Sequence, residues 1–144
     1  MPALNDSFCA RYPDTKYIDV VVVNEPPPHT TPSSKNGIGG DGASGYDWIV
    51  NSFTWARECC PNAVLILNDD NNIEHEGDHQ RFMKIARAVI NAGAPVDALG
   101  AQAHDAYKID TSTVKGYIDK LASLASPVAP TARTSHLTRQ IQPT

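Results

Sequence analysis

The sequence predicts an α/β fold built on a parallel sheet. Three apolar segments of strand length alternate with three amphipathic segments of helical period, and each apolar segment ends in polar residues. This alternation favours parallel strands joined by right-handed crossover helices. The chain has 144 residues, of which 41% are hydrophobic, which suffices for about one domain with a core of its own.

The first predicted strand covers residues 16–23 and ends beside Glu25. Residues 20–23 are all valine, and β-branched side chains fit a strand that is buried on both faces. Residues 26–28 are all proline, so they stop the strand and bias Glu25 toward an extended backbone. Because α/β barrels carry their chemistry at the carboxyl ends of their strands, Glu25 is the first candidate site residue. The plainer interpretation is that Glu25 only begins a solvated loop.

A long loop and the first helix come next. Residues 29–43 are rich in Pro, Ser, Gly and Thr, and unstructured loops of this length are usually functional or disordered, so this loop is a candidate wall of the site. Residues 44–47 have the form of a capping box, which predicts that a helix begins at Ser44. Trp48 and Trp55 lie in this helix, and we interpret both as packing residues rather than as platforms for a sugar ring.

The second strand and helix repeat this pattern. Residues 63–67 form a second continuous apolar run, which ends in the polar cluster of residues 68–72. Apolar side chains recur at helical spacing over residues 82–90 and predict the second helix. Gly93 follows as a left-handed cap that ends this helix.

The third strand and helix are also visible. Residues 96–101 form a shorter apolar run, followed by the polar residues 102–105. The third helix is predicted at about residues 113–124, with Thr111 or Ser112 as its cap.

The regular pattern fails from residue 126 onward. Residues 127–130 begin like a fourth strand, but residues 131–140 have neither a strand nor a helix period and contain no acidic side chain. We therefore predict one domain over residues 1–126 and a divergent, poorly ordered tail over residues 127–144.

Charge and apolar patterning exclude two classes of partner. The net charge is −4, from 16 acidic against 12 basic residues, and no basic block is present, so we expect no nucleic-acid partner. No apolar run approaches the roughly 20 residues that span a bilayer, and the first residues do not form a signal peptide, so we expect no membrane partner.

Cysteine and histidine spacing does not indicate a metal site. Cys9, Cys59 and Cys60 show no metal-binding spacing. The sequence does not decide whether Cys9 forms a disulfide with Cys59 or with Cys60. His75 and His79 are four residues apart but do not form the HExxH motif, so we interpret them as part of a charged helix start. We predict neither a metal nor a cofactor.

Four ordered motifs carry a family resemblance, at residues 19–25, 41–48, 68–71 and 99–104. Together they resemble the family-10 glycoside hydrolases, the retaining endo-β-1,4-xylanases, over roughly residues 7–126. The resemblance implies a partial (β/α)8 TIM barrel of three to four parallel strands with flanking helices. It corresponds to the fourth to sixth βα units and the start of the seventh strand. The resemblance also implies a secreted enzyme whose substrate is xylan or a xylo-oligosaccharide.

The resemblance assigns roles to five residues. It implies that Glu25 is the general acid/base and that Asn24 hydrogen-bonds the 2-hydroxyl of the sugar being cleaved. Gln102 matches the partner of the acid/base, and His104 matches the histidine that hydrogen-bonds the nucleophile. Asn68 matches a polar residue at the end of the fifth barrel strand. For His104 the alternative is an ordinary strand-end histidine, and for Asn68 it is turn capping.

The sequence also departs from the family. A retaining mechanism needs two carboxyl groups about 5–5.5 Å apart, but no Asp or Glu follows Asp119, so the nucleophilic Glu is expected to be absent from this chain. The family usually has two valines where this chain has residues 20–23, and two extra residues would preserve the strand's alternation. Asp70 stands where the family commonly has Tyr.

Two alternatives to an active xylanase stay open. The first is an inactive barrel fragment that self-associates through exposed sheet edges or binds xylo-oligosaccharide weakly. The second is an unrelated parallel α/β enzyme. It ranks last because a phosphate-binding turn directly follows a strand, whereas the glycines at residues 37–42 follow a loop.

Overall fold

A computed structural model of the protein describes residues 11, 19–124 and 128–130. Four parallel strands form one sheet in the order β1-β2-β3-β4. The strands are β1 (Asp19–Asn24), β2 (Val64–Asp70), β3 (Ala98–Gln102) and β4 (Val128–Pro130). The helices are α1 (Asp47–Cys59), α2 (Glu76–Asn91) and α3 (Thr111–Ala122). The predicted α/β fold with three to four parallel strands is confirmed.

The centre of the sheet is covered on both faces, as the continuous apolar run of β2 predicts. The predicted burial of the first strand on both faces is wrong, because Val21 of β1 is 43% exposed. In β2, the consecutive residues Leu65, Ile66 and Leu67 are all buried, and consecutive side chains of a strand point to opposite faces. Leu65 and Leu67 belong to the main core cluster between sheet and helices. That cluster includes these helix residues: Ile49, Phe53, Phe82, Ile85, Val89 and Leu121.

A β-bulge interrupts β1. Val21 pairs with Ile66 and Val23 pairs with the next residue, Leu67, so Val22 is an extra residue opposite the second strand. Regular pairing then resumes, with Asn24 opposite Asn68. The expected preservation of alternation along the valine run is therefore wrong for β1.

The helices begin at other residues than the sequence predicts. The first helix begins at Asp47 rather than Ser44, because the Asp47 carboxylate turns back and accepts the Ser44 amide at 3.0 Å. The third helix begins at Thr111 and its cap is Asp110, whose Oδ1 accepts the amides of Ser112 and Thr113. Neither Thr111 nor Ser112 is the cap.

The second helix extends beyond the apolar period of residues 82–90, as the charged helix start around His75 and His79 predicts. It begins at Glu76, because its first turn is polar and carries acidic side chains that favour a helix N-terminus without adding to the apolar face.

The tail and the cysteines complete the fold. The short strand β4 occupies residues 128–130, so the prediction of a poorly ordered tail from residue 127 onward is wrong for these three residues. Residue 127 and the rest of the predicted tail, residues 131–144, lie outside the described residues. Cys59 and Cys60 are both disulfide-bonded. Within the described part of the chain, no helix has both the length and the apolar character needed to cross a bilayer.

Candidate active site

One hydrogen-bond network joins the ends of the first three strands. Gln102 Nε2 donates to Glu25 Oε1 at 2.9 Å and to Asn24 Oδ1 at 3.0 Å. Asn68 Nδ2 donates to the same Asn24 oxygen at 2.6 Å, and His104 Nε2 lies 3.0 Å from Gln102 Oε1. The structure thus brings together all five residues that the sequence predicted for the site, although β1 and β3 are more than 70 residues apart in the chain.

Hydrogen-bonding roles in this network orient each side chain. Because Gln102 Oε1 can only accept, His104 carries its proton on Nε2 in this arrangement. Asn24 Oδ1 accepts from both Asn68 and Gln102, so the Nδ2 donor of Asn24 is the end left for a ligand hydroxyl. His104 is therefore part of a polar network rather than an isolated strand-end histidine. Asn68 lies within β2 and binds across to β1, so it is not a turn cap.

A left-handed turn lets Asn24 and Glu25 face the same site. Glu25 has φ 47°, which differs from the extended backbone expected before a proline. In an extended strand, consecutive side chains would point to opposite faces. The Glu25 amide still donates to the Asn68 carbonyl at 2.9 Å, so the turn stays attached to β2.

Asp69 faces away from this network. Alternation along β2 turns its side chain toward α2, where it is 0% exposed and its Oδ2 lies 3.6 Å from Arg81 Nη2. Burial raises the pKa of Asp69 to about 6, although the Asp70 amide and Arg81 both favour its charged form. Asn68 and Asp69 are adjacent in β2, but their side chains thus lie in two different surroundings.

A second cluster, which the sequence did not reveal, lies beside Asp69. His29 Nε2 is 2.8 Å from Arg81 Nη2 and 3.5 Å from Asp70 Oδ1. Possible ligand atoms of His29, Asp69 and Asp70 lie within 4.8 Å of one another, a spacing that a metal ion could use. The Arg81 guanidinium already supplies positive charge among these atoms, so we assign no metal to them. No short motif joins these residues, because they meet only through the fold.

Two buried polar residues outside these clusters have structural roles. His79 is buried, with Nδ1 2.9 Å from the Asn72 carbonyl, and burial lowers its pKa. Glu74 is also buried, and its Oε1 accepts the amide of Asp105, which fixes the turn just after His104. This contact could not be predicted from the sequence, because it joins residues 31 positions apart.

The two tryptophans of α1 differ. Trp48 is 3% exposed and belongs to the core, as predicted. Trp55 is 36% exposed, so its prediction as a packing residue is wrong. Its position on α1 follows the helical period, which turns it away from the buried residues Ile49 and Phe53.

A sequence profile described as glycosyl hydrolase family 10 matches residues 6–132. The chain belongs to glycosyl hydrolase family 10. This family-10 chain is similar to endo-1,4-beta-xylanase B of Cellvibrio japonicus, with 42% identity over 114 residues. That alignment covers 79% of this chain and 17% of the relative.

Solved structures show the same fold. The crystal structure of CbXyn10B in native form matches with a TM-score of 0.72 and 26% identity, over 99% of this chain and 46% of that one. The E146A mutant of the xylanase TsXylA from Thermoanaerobacterium saccharolyticum, in complex with xylotriose, matches with a TM-score of 0.65 and 25% identity. It covers 88% of this chain and 39% of that one. The family-10 chain thus spans less than half of these structures, and its sheet is part of a (β/α)8 barrel.

Proposed function

We propose that this chain carries the acid/base part of a xylan-hydrolysing site, with Glu25 as the general acid/base for internal β-1,4-xylosidic bonds. The observation that carries the proposal is the Gln102 amide, which donates to Glu25 at 2.9 Å within the network that also holds Asn24 and His104. Membership of family 10 and the similarity to a relative named as an endo-1,4-beta-xylanase support the substrate class.

The geometry suits a proton-transfer role for Glu25. A carboxyl group can accept a hydrogen bond at one oxygen and carry its proton on the other. Because Gln102 donates to Oε1, Oε2 is the oxygen that would protonate the leaving glycosidic oxygen and later take a proton from water. Asn24 Nδ2 would donate to the 2-hydroxyl of the sugar, a contact that strengthens toward the oxocarbenium-like transition state.

The second carboxyl group of a retaining mechanism is not assigned within this chain. No Asp or Glu follows Asp119, where the family resemblance expects the nucleophile. The same observation favours a second candidate function, in which the chain binds xylo-oligosaccharide weakly without cleaving it. In that case the Asn24, Gln102 and His104 side chains form a binding surface only.

Two substrates separate these functions. An aryl β-xylobioside with a good leaving group needs a nucleophile but little acid assistance, whereas xylan needs both. For an active enzyme, Glu25→Gln should reduce release of reducing sugar from xylan by about 10²- to 10⁴-fold and cleavage of the aryl xylobioside much less. If the wild-type chain cleaves neither substrate but xylotriose shifts the Gln102 side-chain amide resonances, the chain is a binding module. Equal xylan hydrolysis by wild type and Glu25→Gln contradicts the acid/base role.

We also propose self-association through the edge of β1 that has no partner among the described strands. This strand pairs only with β2 among the described strands, and Val21 is 43% exposed on it. Unpaired strand edges are ready to pair with another chain. Sedimentation should show a dimer that Val21→Lys disrupts, while the exposed control Glu58→Lys on α1 does not. A monomeric wild-type chain contradicts this proposal.

Export from the cell is likewise a proposal, supported by the bonded state of Cys59 and Cys60, because disulfides persist mainly in oxidising compartments. Detection of the protein in the culture medium of the source organism tests it, and retention in the cell lysate alone contradicts it.

A further inference from the structure

Three consecutive prolines connect Glu25 to His29. Each proline ring fixes its own φ, so residues 26–28 have fewer soft torsions than an ordinary loop. Pro26 is buried, and the Glu25 amide in front of it donates to the Asn68 carbonyl at 2.9 Å. The proline segment, residues 26–28, is thus a stiff connector with its first end attached to β2.

The second end of the proline segment is held by a side-chain contact. His29 Nε2 lies 2.8 Å from Arg81 Nη2, and since a guanidinium can only donate, His29 accepts. Because this nitrogen accepts from Arg81, it carries no proton for Asp70 Oδ1 at 3.5 Å, and Arg81 of α2 is the side-chain contact that holds this end. Both ends of the segment are therefore attached to the same strand–helix unit.

Arg81 is itself firmly placed. Its Nη1 donates to Asp78 Oδ1 at 2.5 Å, one turn earlier on α2, and its Nη2 lies 3.6 Å from the buried carboxylate of Asp69. The Arg81 side chain is mostly buried, with 25% of its surface exposed. A residue held by two carboxylates can serve as a fixed point for the more exposed His29.

The backbone at Glu25 needs such support. Its φ of 47° lies in the left-handed region that non-glycine residues rarely adopt, and the proline after it further restricts its backbone. Such conformations persist when the surroundings determine them. The Asn68 carbonyl and the His29–Arg81 contact hold the chain on the two sides of this residue.

We propose that His29 and Arg81 are positioning residues, which hold the proline segment against β2 and so keep the Glu25 carboxyl directed at Gln102. The consequence for catalysis rests on the proposed role of Glu25 as acid/base. The effect on the position of Glu25 does not depend on that role, because it concerns only the backbone turn at Glu25 and the contact with Gln102.

Amide hydrogen exchange of Glu25, followed by NMR, tests the proposal directly. His29→Ala removes the acceptor and should speed exchange of the Glu25 amide about tenfold. His29→Gln keeps an oxygen that can accept from Arg81 and should leave the rate near that of the wild type. The Gln102 side-chain amide resonances should move in His29→Ala toward their positions in Glu25→Ala, and not in His29→Gln.

Two variants of α2 provide the matched pair. Arg81→Met should behave like His29→Ala, whereas Arg87→Met removes an exposed cation of the same helix and should match the wild type. If Arg81→Met does not fold, the two variants of the exposed His29 still decide. The proposal would be overturned if the Glu25 amide of His29→Ala exchanged at the wild-type rate and the Gln102 side-chain resonances did not shift.

Steady-state kinetics distinguish this proposal from the proposed function. If the chain hydrolyses xylan, His29→Ala should lower kcat about tenfold with KM unchanged, and His29→Gln should restore it. Xylan hydrolysis that survives Glu25→Gln would refute the acid/base role but leave the exchange result intact. Conversely, an unchanged exchange rate of the Glu25 amide in His29→Ala would refute the positioning role of His29 and leave the acid/base role of Glu25 intact.

Discussion

The two ends of the sheet each place an arginine beside a carboxylate, with different results. At the amino end, Arg57 of α1 pairs with Asp97 and donates to the Ala63 carbonyl at 2.8 Å, and Asp97 also accepts the Leu65 amide. At the carboxyl end, Arg81 lies 3.6 Å from Asp69 Oδ2, which accepts no hydrogen bond within the described structure.

The two clusters differ in what they contribute: the Arg57 cluster holds the fold together, and the Arg81 cluster lies beside the candidate site. The Arg57 cluster satisfies its polar atoms and ties a helix end to two strand starts. The Arg81 cluster leaves a buried carboxylate with a raised pKa beside the segment that carries Glu25. In α/β barrels the amino-end face serves stability and the carboxyl-end face serves function, and the two clusters of this chain follow that division.

The largest effect on stability is expected from breaking the amino-end cluster. Arg57→Met removes several charge-assisted hydrogen bonds and leaves the partly buried Asp97 without its cation, so it should lower the free energy of unfolding by about 2–3 kcal/mol. Urea denaturation measures this loss. Arg87→Met, on the exposed side of α2, is the control and should change the midpoint little. Equal midpoints for Arg57→Met and wild type would show that the cluster does not stabilise the fold.

A smaller effect of opposite sign is expected at the carboxyl end. Burial raises the pKa of Asp69 from 3.8 to about 6, so the folded state holds this proton more tightly than the unfolded chain does. The stabilising contribution is complete below about pH 4 and is lost as the pH rises through about 6. The difference of about two units between the folded and unfolded pKa of Asp69 corresponds to about 3 kcal/mol in the free energy of unfolding. Asp69→Asn removes this pH dependence but also the attraction to Arg81, so we expect a net gain of about 1–2 kcal/mol at pH 7.5.

Urea denaturation of Asp69→Asn at two pH values provides the check. The gain should be present at pH 7.5 and absent at about pH 4, where Asp69 is protonated in both states. Asp78→Asn is a matched control, because Asp78 also pairs with Arg81 but is partly exposed. A variant that is less stable than the wild type at pH 7.5 would show that the Arg81 attraction exceeds the cost of burial.

The smallest effect concerns the titration of Asp69 itself. Arg81→Met removes the cation that favours its charged form, so the pKa of Asp69 should rise further above its wild-type value. Carboxyl carbon chemical shifts in an NMR titration measure this change. An unchanged or lower pKa would mean that Arg81 does not act on Asp69 across the 3.6 Å gap.

The order of strands and helices could be predicted because it is encoded locally. Continuous apolar runs mark β2, and residues at helical spacing mark the buried face of α2. Boundaries were less accurate where the deciding contact was polar. The cap of α3 is Asp110, which lies outside the apolar period. The helix α1 does not reach back to Ser44, because the Asp47 carboxylate accepts the Ser44 amide in the turn before the helix.

The site was predictable in composition but not in conformation. Sequence motifs identified Glu25 and Gln102, and their contact follows from the meeting of strand ends in a parallel sheet. The left-handed turn at Glu25 could not be predicted, because the rule for residues before proline points to an extended backbone. The His29–Arg81 contact joins residues 52 positions apart and has no local signature.

The bulge in β1 bears on how this part of the barrel tolerates insertions. Val22 is accommodated as an extra residue, yet Asn24 remains opposite Asn68 just beyond it. A change in length within the valine run is thus absorbed before it reaches Asn24 and the carboxyl end of the strand. We therefore expect related chains to gain or lose a residue there during evolution while Asn24 keeps its place opposite Asn68.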